Sequence, residues 1–206
     1  APDDGLGLND VWGYGLGFPN GTATGEAGID LVRRVLVPSP TELVVTNLED
    51  SGSGSLREAL ALIADEGTIT FDPSLAGGTL ALTSGQLKID RSVSIDASGA
   101  DAVTISGGGA SRVIEVGAGA VVAMNDLVIR DGVGAPQGGG ILNSGDLSLD
   151  RVTVTDNTEN SAGPSSFDLG GGGIYNGEKS TLNLTDSTVS DNATLNQPAG
   201  GIYGFF

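Results

Sequence analysis

Gly138-Gly139-Gly140-Ile141-Leu142-Asn143 is followed by Asp146-Leu147-Ser148-Leu149-Asp150-Arg151-Val152-Thr153-Val154-Thr155-Asp156-Asn157. The text returns 33 residues later as Gly171-Gly172-Gly173-Ile174-Tyr175-Asn176, then Ser180-Thr181-Leu182-Asn183-Leu184-Thr185-Asp186-Ser187-Thr188-Val189-Ser190-Asp191-Asn192. A third copy opens at Gly200-Gly201-Ile202-Tyr203, and a fainter one precedes the first in Asn125-Asp126-Leu127-Val128-Ile129-Arg130-Asp131-Gly132. Inserts carrying Pro136, Pro164 and Pro198 separate the copies, so the unit changes length while its strand text persists. Recurrence at such a period marks a stack of like units, each burying its apolar face only against its neighbours.

Near-identical strand text between variable loops predicts an all-β, right-handed parallel β-helix, a solenoid with one short N-terminal capping helix. Each turn supplies about three brief strands and adds about 4.8 Å along the axis, and equivalent positions stack. The ladders are read directly: Ile141 over Ile174 over Ile202 in the core, and Asn143 over Asn176, whose amides are expected to hydrogen-bond along the axis. Gly suits the tight corners between sheets.

Outward from the repeat, short strands are expected at Thr68–Phe71, Thr79–Leu82, Leu87–Ile89, Val93–Ile95, Val103–Ile105, Val113–Val116, Val121–Met124, Leu127–Ile129, Asp146–Leu149, Val152–Thr155, Thr181–Leu184 and Thr188–Ser190, after a first at Leu43–Thr46. Between Ser55 and Gly67 lies the one expected helix. Ser55 and Glu58 have capping-box spacing, Leu56, Leu60 and Ile63 share a face, and Gly67 is expected to stop it. The division is therefore 1–40, an N-terminal Gly/aromatic arm and strand; 41–67, a strand plus capping helix; and 68–206, the β-helix turns. In the arm, Trp12, Tyr14 and Phe18 alternate with Gly, placing side chains on one face of an extended segment. The pattern admits packing on its own domain or docking on a neighbouring subunit.

Ser55-Leu56-Arg57-Glu58-Ala59-Leu60, after Val44-Val45-Thr46-Asn47, resembles the SLREA signature that opens many bacterial surface β-helices, with Gly54 where a Cys often stands. The Gly-Gly-Gly-Ile-[Leu/Tyr]-Asn and [Thr/Ser]-Asp-Asn repeats resemble those of polymorphic outer-membrane proteins and pectate-lyase-like repeat proteins. The resemblance covers about Leu43 to Phe206. It implies the coil and a secreted or cell-surface setting, in the bacterial periplasm or at the outer surface. It leaves function open, since the same coil serves as adhesin, lyase, epimerase or passive stalk.

Composition narrows the chemistry. The chain of 206 residues has no His and no Cys, which excludes Ser-His-Asp and Cys-His nucleophile systems, zinc fingers and disulfides. With 9 basic against 26 acidic residues and a net charge of -17, no nucleic acid is expected as partner. No apolar run reaches the roughly 18 residues of a membrane-spanning helix, so no transmembrane segment is expected. The start at Ala1-Pro2-Asp3 suits a mature N-terminus after small-residue cleavage.

Asp131, Asp156 and Asp191 close equivalent strands, while Asp90, Asp126, Asp150 and Asp186 open them. Stacked carboxylates repel unless something intervenes, and Ca²⁺ favours such oxygen-rich corners. The same residues also suit turns through side-chain-to-backbone bonds and tolerance of unusual dihedrals. Both readings stay open, and no other cofactor is expected. Arg91, Arg130 and Arg151 stand beside Asp90, Asp131 and Asp150. Strand neighbours point to opposite faces, so surface ion pairing is expected rather than a shared catalytic site. The text breaks off inside a repeat at Ile202-Tyr203-Gly204-Phe205-Phe206. The last turn is therefore expected to continue in a longer chain or to be covered by a partner, with Tyr203, Phe205 and Phe206 as contacts. The expected function is a non-catalytic structural or adhesion protein, self-assembling or docking on another subunit or a surface polysaccharide through the arm, the open turn and loops 133–137, 158–170 and 193–199. A polysaccharide-active β-helix enzyme and an accessory subunit of a membrane-associated complex are the alternatives.

Overall fold

The computed structural model describes residues 38–134, 136–161, 170–195 and 199–204. Numbered along the chain, β1 (Glu42–Val45), β2 (Gly67–Phe71), β5 (Val93–Asp96), β8 (Val121–Asn125), β12 (Asp146–Asp150) and β16 (Thr181–Thr185) form sheet 1. Sheet 2 is β3 (Thr79–Ala81), β6 (Val103–Ser106), β9 (Leu127–Arg130), β13 (Thr153–Thr155) and β17 (Thr188–Ser190). Sheet 3 is β4 (Leu87–Ile89), β7 (Ile114–Val116), β11 (Ile141–Asn143), β15 (Ile174–Asn176) and β19 (Ile202–Gly204). Within each sheet the strands pair in parallel with their counterparts one turn away. The chain is a parallel β-helix of about six turns.

Alternation along each strand builds the core. In β12, Leu147 and Leu149 point inward and are buried, while Ser148 points out. Register then stacks like on like: Ile69, Ile95, Met124 and Leu149 form one inner column of sheet 1. Leu80, Ile105, Ile129 and Val154 form that of sheet 2, and Leu87, Ile114, Ile141, Ile174 and Ile202 that of sheet 3. Branched aliphatics of similar volume fill such columns without gaps, and each buried side chain contributes about 1.5–3 kcal/mol.

Helix α1 (Leu56–Leu62) lies between β1 and β2. Ser55 caps it by accepting from the Glu58 amide at 3.2 Å, and the Glu58 carboxylate reaches back to the Gly54 amide at 2.7 Å. Leu56, Leu60 and Ile63 are buried in the core. The helix ends at Leu62, five residues before Gly67, which corrects the expected stop. Gly67 opens β2, and a Cβ there would stand 2.6 Å from the Ile63 side chain. Its smallness serves helix-to-sheet packing rather than helix termination.

The loops hold a fourth ladder that the strand text does not announce: β10 (Val133–Gly134), β14 (Thr158–Glu159) and β18 (Ala193–Thr194). The glycine triplets run beside it. Gly139 donates to Gly171 O at 3.3 Å, and Gly140 to Gly172 O at 3.0 Å. A Cβ on Gly139 would lie 2.4 Å from Thr158 O and 2.6 Å from Gly172 O, so backbone occupies the space of any side chain. Gly139→Ala is therefore expected to cost about 2 kcal/mol or more. Gly99→Ala, where nothing lies within 4 Å, is expected to be neutral or to gain up to about 1 kcal/mol. Urea unfolding of the two variants measures the contrast, and equal effects would show that the triplets are not close-packed.

Candidate functional site

Two asparagine ladders run through the interior. Asn143 and Asn176 are buried, and the Asn143 amide donates to Asn176 Oδ1 at 2.7 Å and to Thr181 O at 2.9 Å. The second, Asn157 over Asn192, sits in the repeated Asp-Asn text, where the sequence suggests turn bonds to backbone and names no ladder. Asn157 Nδ2 donates to Asn192 Oδ1 at 2.9 Å and to the carbonyls of Ile129 and Thr155, and its Oδ1 accepts from the Gly132 amide at 2.8 Å. The recurring Asp-Asn pair was the available signal. An amide carries both donors and acceptors, so it can hydrogen-bond to its own copy and to backbone at a corner where the sheet ladder lapses.

The acidic corners sort into two columns by register. Asp131, Asp156 and Asp191 follow aligned strands of sheet 2 and stack, with φ of 53°, 56° and 55°. This left-handed backbone favours Asp and Asn among non-glycine residues. Asp131 and Asp156 border an open cleft of about 490 Å³. Arg130 Nε donates to Asp131 at 2.8 Å, and that bond, with the nearby Asp156 charge, raises the guanidinium above its usual range. Among the described residues no three carboxylates gather to hold a metal ion.

The second column departs from the expected grouping of Asp90, Asp126, Asp150 and Asp186. Asp150 is the last residue of β12, aligned with Asn125 and Thr185, so the corner residue is the next one. The column is Asp126, Arg151, Asp186, with φ of 54°, 52° and 48°. A cation sits between two acids. Arg151 grips Asp126 with two bonds of 2.9 and 2.8 Å and also pairs with Asp150. The corner dihedral breaks strand alternation, which is why the sequence neighbours Arg130 and Asp131, and Arg151 and Asp150, meet on one side.

The tightest polar cluster joins two loops distant in sequence. Buried Asp50 accepts from Arg57 Nη2 at 2.6 Å, from the Ser84 amide at 2.8 Å and from Thr83 Oγ1 at 3.1 Å. Arg57 also donates to Gly85 O at 2.7 Å and Gln86 O at 2.9 Å. Burial by itself pushes the Asp50 carboxyl up. The hydrogen bonds from Ser84 and Arg57, with the Arg57 charge, together outweigh burial and hold it well below the usual carboxylate range. The SLREA letters thus have structural duties: Ser55 and Glu58 cap, Leu56 and Ala59 pack, and Arg57 clamps. Next to the clamp, Arg57, Lys88, Asp90 and Arg91 line a cleft of about 310 Å³. Its charges are engaged: Lys88 pairs with Asp90 at 3.2 Å, and Arg91 donates to Ile63 O.

Of the expected contact residues, Tyr203 lies in β19 and stacks on Tyr175 with ring centroids 5.7 Å apart. Trp12, Tyr14, Phe18, Phe205 and Phe206 lie outside the described residues, as do most of the 1–40 arm and parts of the three loops.

Because the folded Asp50 carboxyl is more acidic than the unfolded one, its contribution is fully present above about pH 4 and is lost as pH falls below that value. Asp50→Asn is expected to lower Tm at pH 7 and to flatten the fall of Tm below about pH 4. Arg57→Lys keeps the charge but loses the fork, and is expected to cost about 2 kcal/mol. Thermal melts by circular dichroism across pH check both. An unchanged acid slope in Asp50→Asn would place the acid sensitivity elsewhere.

No family model, no curated protein and no solved structure matches the chain. What its own geometry makes plain is a β-helix repeat protein.

Proposed function

We propose that this chain is a non-catalytic structural β-helix of the cell surface or extracellular space, related to the SLREA-signature surface proteins. Its stacked turns hold loops 133–137, 158–170 and 193–199 as contacts for adhesion or assembly, with a second protein subunit or a surface polysaccharide as partner. One observation carries this reading: among the described residues, three arginines that a catalytic centre could use are engaged in holding one turn to the next. Arg57 binds carbonyls of Gly85 and Gln86, Arg112 those of Gln137 and Gly138, and Arg151 the Asp126 carboxylate. An arginine or lysine acting as base in a polysaccharide-cleaving site has to be free to meet substrate. The strong negative charge also disfavours polyanionic substrates. Calcium enters this reading only at the column Asp131, Asp156 and Asp191, as an accessory to loop order.

The test pairs turnover with association. The purified chain is incubated with polyuronates and neutral polysaccharides while reducing ends and unsaturated products are followed. Light scattering and retention on immobilised polysaccharide are measured with and without chelator. Self-association or retention without turnover is the expected outcome. Cleavage that scales with protein and is lost in Lys88→Met would overturn the proposal in favour of the enzyme.

A further inference from the structure

β16 (Thr181–Thr185) is an edge strand of sheet 1: β12 pairs with one side of it, and among the described residues nothing pairs with the other. The core opens there. Leu184 is 40 % exposed and Leu182 only partly buried, whereas Leu149 and Leu147, their counterparts one turn inward, are 1 % and 0 % exposed. Edge strands are ordinarily blunted against pairing by charge, proline or a bulge. β16 has none of these: it reads Thr-Leu-Asn-Leu-Thr and keeps an unbroken register with β12 from Thr181 to Thr185. β12, by contrast, starts and ends in Asp.

The strand text is also a palindrome about Asn183. Two copies of β16 laid antiparallel about a two-fold axis at Asn183 therefore match side chain for side chain: Leu182 faces Leu184 of the second copy, Thr181 faces Thr185, and Asn183 faces itself. The backbone phase agrees. The Thr181 amide donates to Gly145 O at 3.0 Å and Thr185 O accepts from the Arg151 amide at 3.0 Å, so the backbone groups of 181, 183 and 185 are turned toward β12. By alternation the outward N–H and C=O groups belong to Leu182 and Leu184, which the two-fold sets opposite each other as hydrogen-bonded pairs. Asn183 falls at the non-bonded position, where facing side chains stand closest and an amide both donates to and accepts from its copy. The leucines lie on the core side, so the contact closes one open core on the other. Charge agrees as well. Exposed Asp186 follows the strand at one corner and exposed Lys179 precedes it at the other. In this register Asp186 faces Ser180 of the second copy, one residue from its Lys179, and the pairing occurs twice by symmetry. A parallel copy in register would instead set Asp186 on Asp186.

We infer that two copies of this chain join end to end through β16 in a two-fold dimer. Such a contact uses up the edge on both copies, so association stops at two. It employs the edge strand and not the loops, and stands apart from the loop contacts proposed above.

The test is sedimentation and light scattering of the full chain across the micromolar range at about 0.15 M salt, where a Debye length of about 8 Å screens the repulsion between two chains of net charge -17. A dimer of twice the monomer mass is expected. Asn183→Lys sets two cations face to face across the axis and is expected to weaken association by about tenfold or more, with an unchanged circular dichroism spectrum. Asn183→Cys gives a chain without cysteine its sole thiol. With facing Cα atoms about 4.5 Å apart, it is expected to cross-link the dimer on mild oxidation. Ser148→Cys, one turn inward in the same outer column, is expected to stay uncross-linked. A monomer throughout, assembly beyond the dimer, a dimer indifferent to Asn183→Lys, or cross-linking of Ser148→Cys as fast as that of Asn183→Cys would overturn the inference. Self-association that persists in Asn183→Lys would belong to the loops and leave the proposed function standing.

Discussion

Backbone stacked on parallel backbone, one turn every 4.8 Å or so, is the constraint from which the rest of this molecule follows. A residue's nearest neighbours are its own counterparts in the turns above and below, so each position has to hold a residue that tolerates its own copy. Isoleucine and leucine do so by packing, tyrosine by ring stacking, and asparagine because its amide both donates and accepts. The glycine triplets satisfy the same demand differently: where carbonyls of the adjacent turns approach within 2.4 Å of the Cβ site, only the absence of a side chain is tolerated.

Acid is the residue type that stacks worst on itself, and this chain has 26 of them. Seven of them stand at positions of positive φ, none of those seven is buried, and in one column an arginine separates two of them. Four of the five described arginines work as links between turns. Arg57, Arg91, Arg112 and Arg151 each reach 25 to 29 residues along the chain, close to one turn, to bind a carbonyl or carboxylate. A guanidinium suits this work because its donors fan out in a plane and it stays charged under all ordinary conditions. Basic side chains committed in this way serve cohesion between turns, and it is this that favours a structural over a catalytic role.

Much of the coil was legible in the repeat. The register of Ile141, Ile174 and Ile202, the strand texts and the buried helix face follow from periodicity, because parallel stacking converts sequence recurrence directly into spatial adjacency. What was misread lies where a single residue departs from its copies. Gly67 looked like a helix stop and is a packing position under Ile63. Asp150 looked like a member of the corner acids, but the strand runs one residue further and puts Arg151 there. Asn157 and Asn192 stood in plain view within the Asp-Asn text, and their duty emerged only when the Asp was seen to turn the corner and the Asn to fold beneath it.

By itself the sequence determined the solenoid, its core columns, the capping helix and the chemistry ruled out by the lack of His and Cys. These depend on periodicity and composition, which survive without knowledge of contacts. Only the tertiary structure decided which charges meet: that Arg57 from the helix would seal Asp50 against Ser84, and that Arg151 would fall between Asp126 and Asp186. Loop lengths differ from turn to turn, so partners outside the strands are set by how each loop crosses its neighbour. No period in the text encodes that crossing.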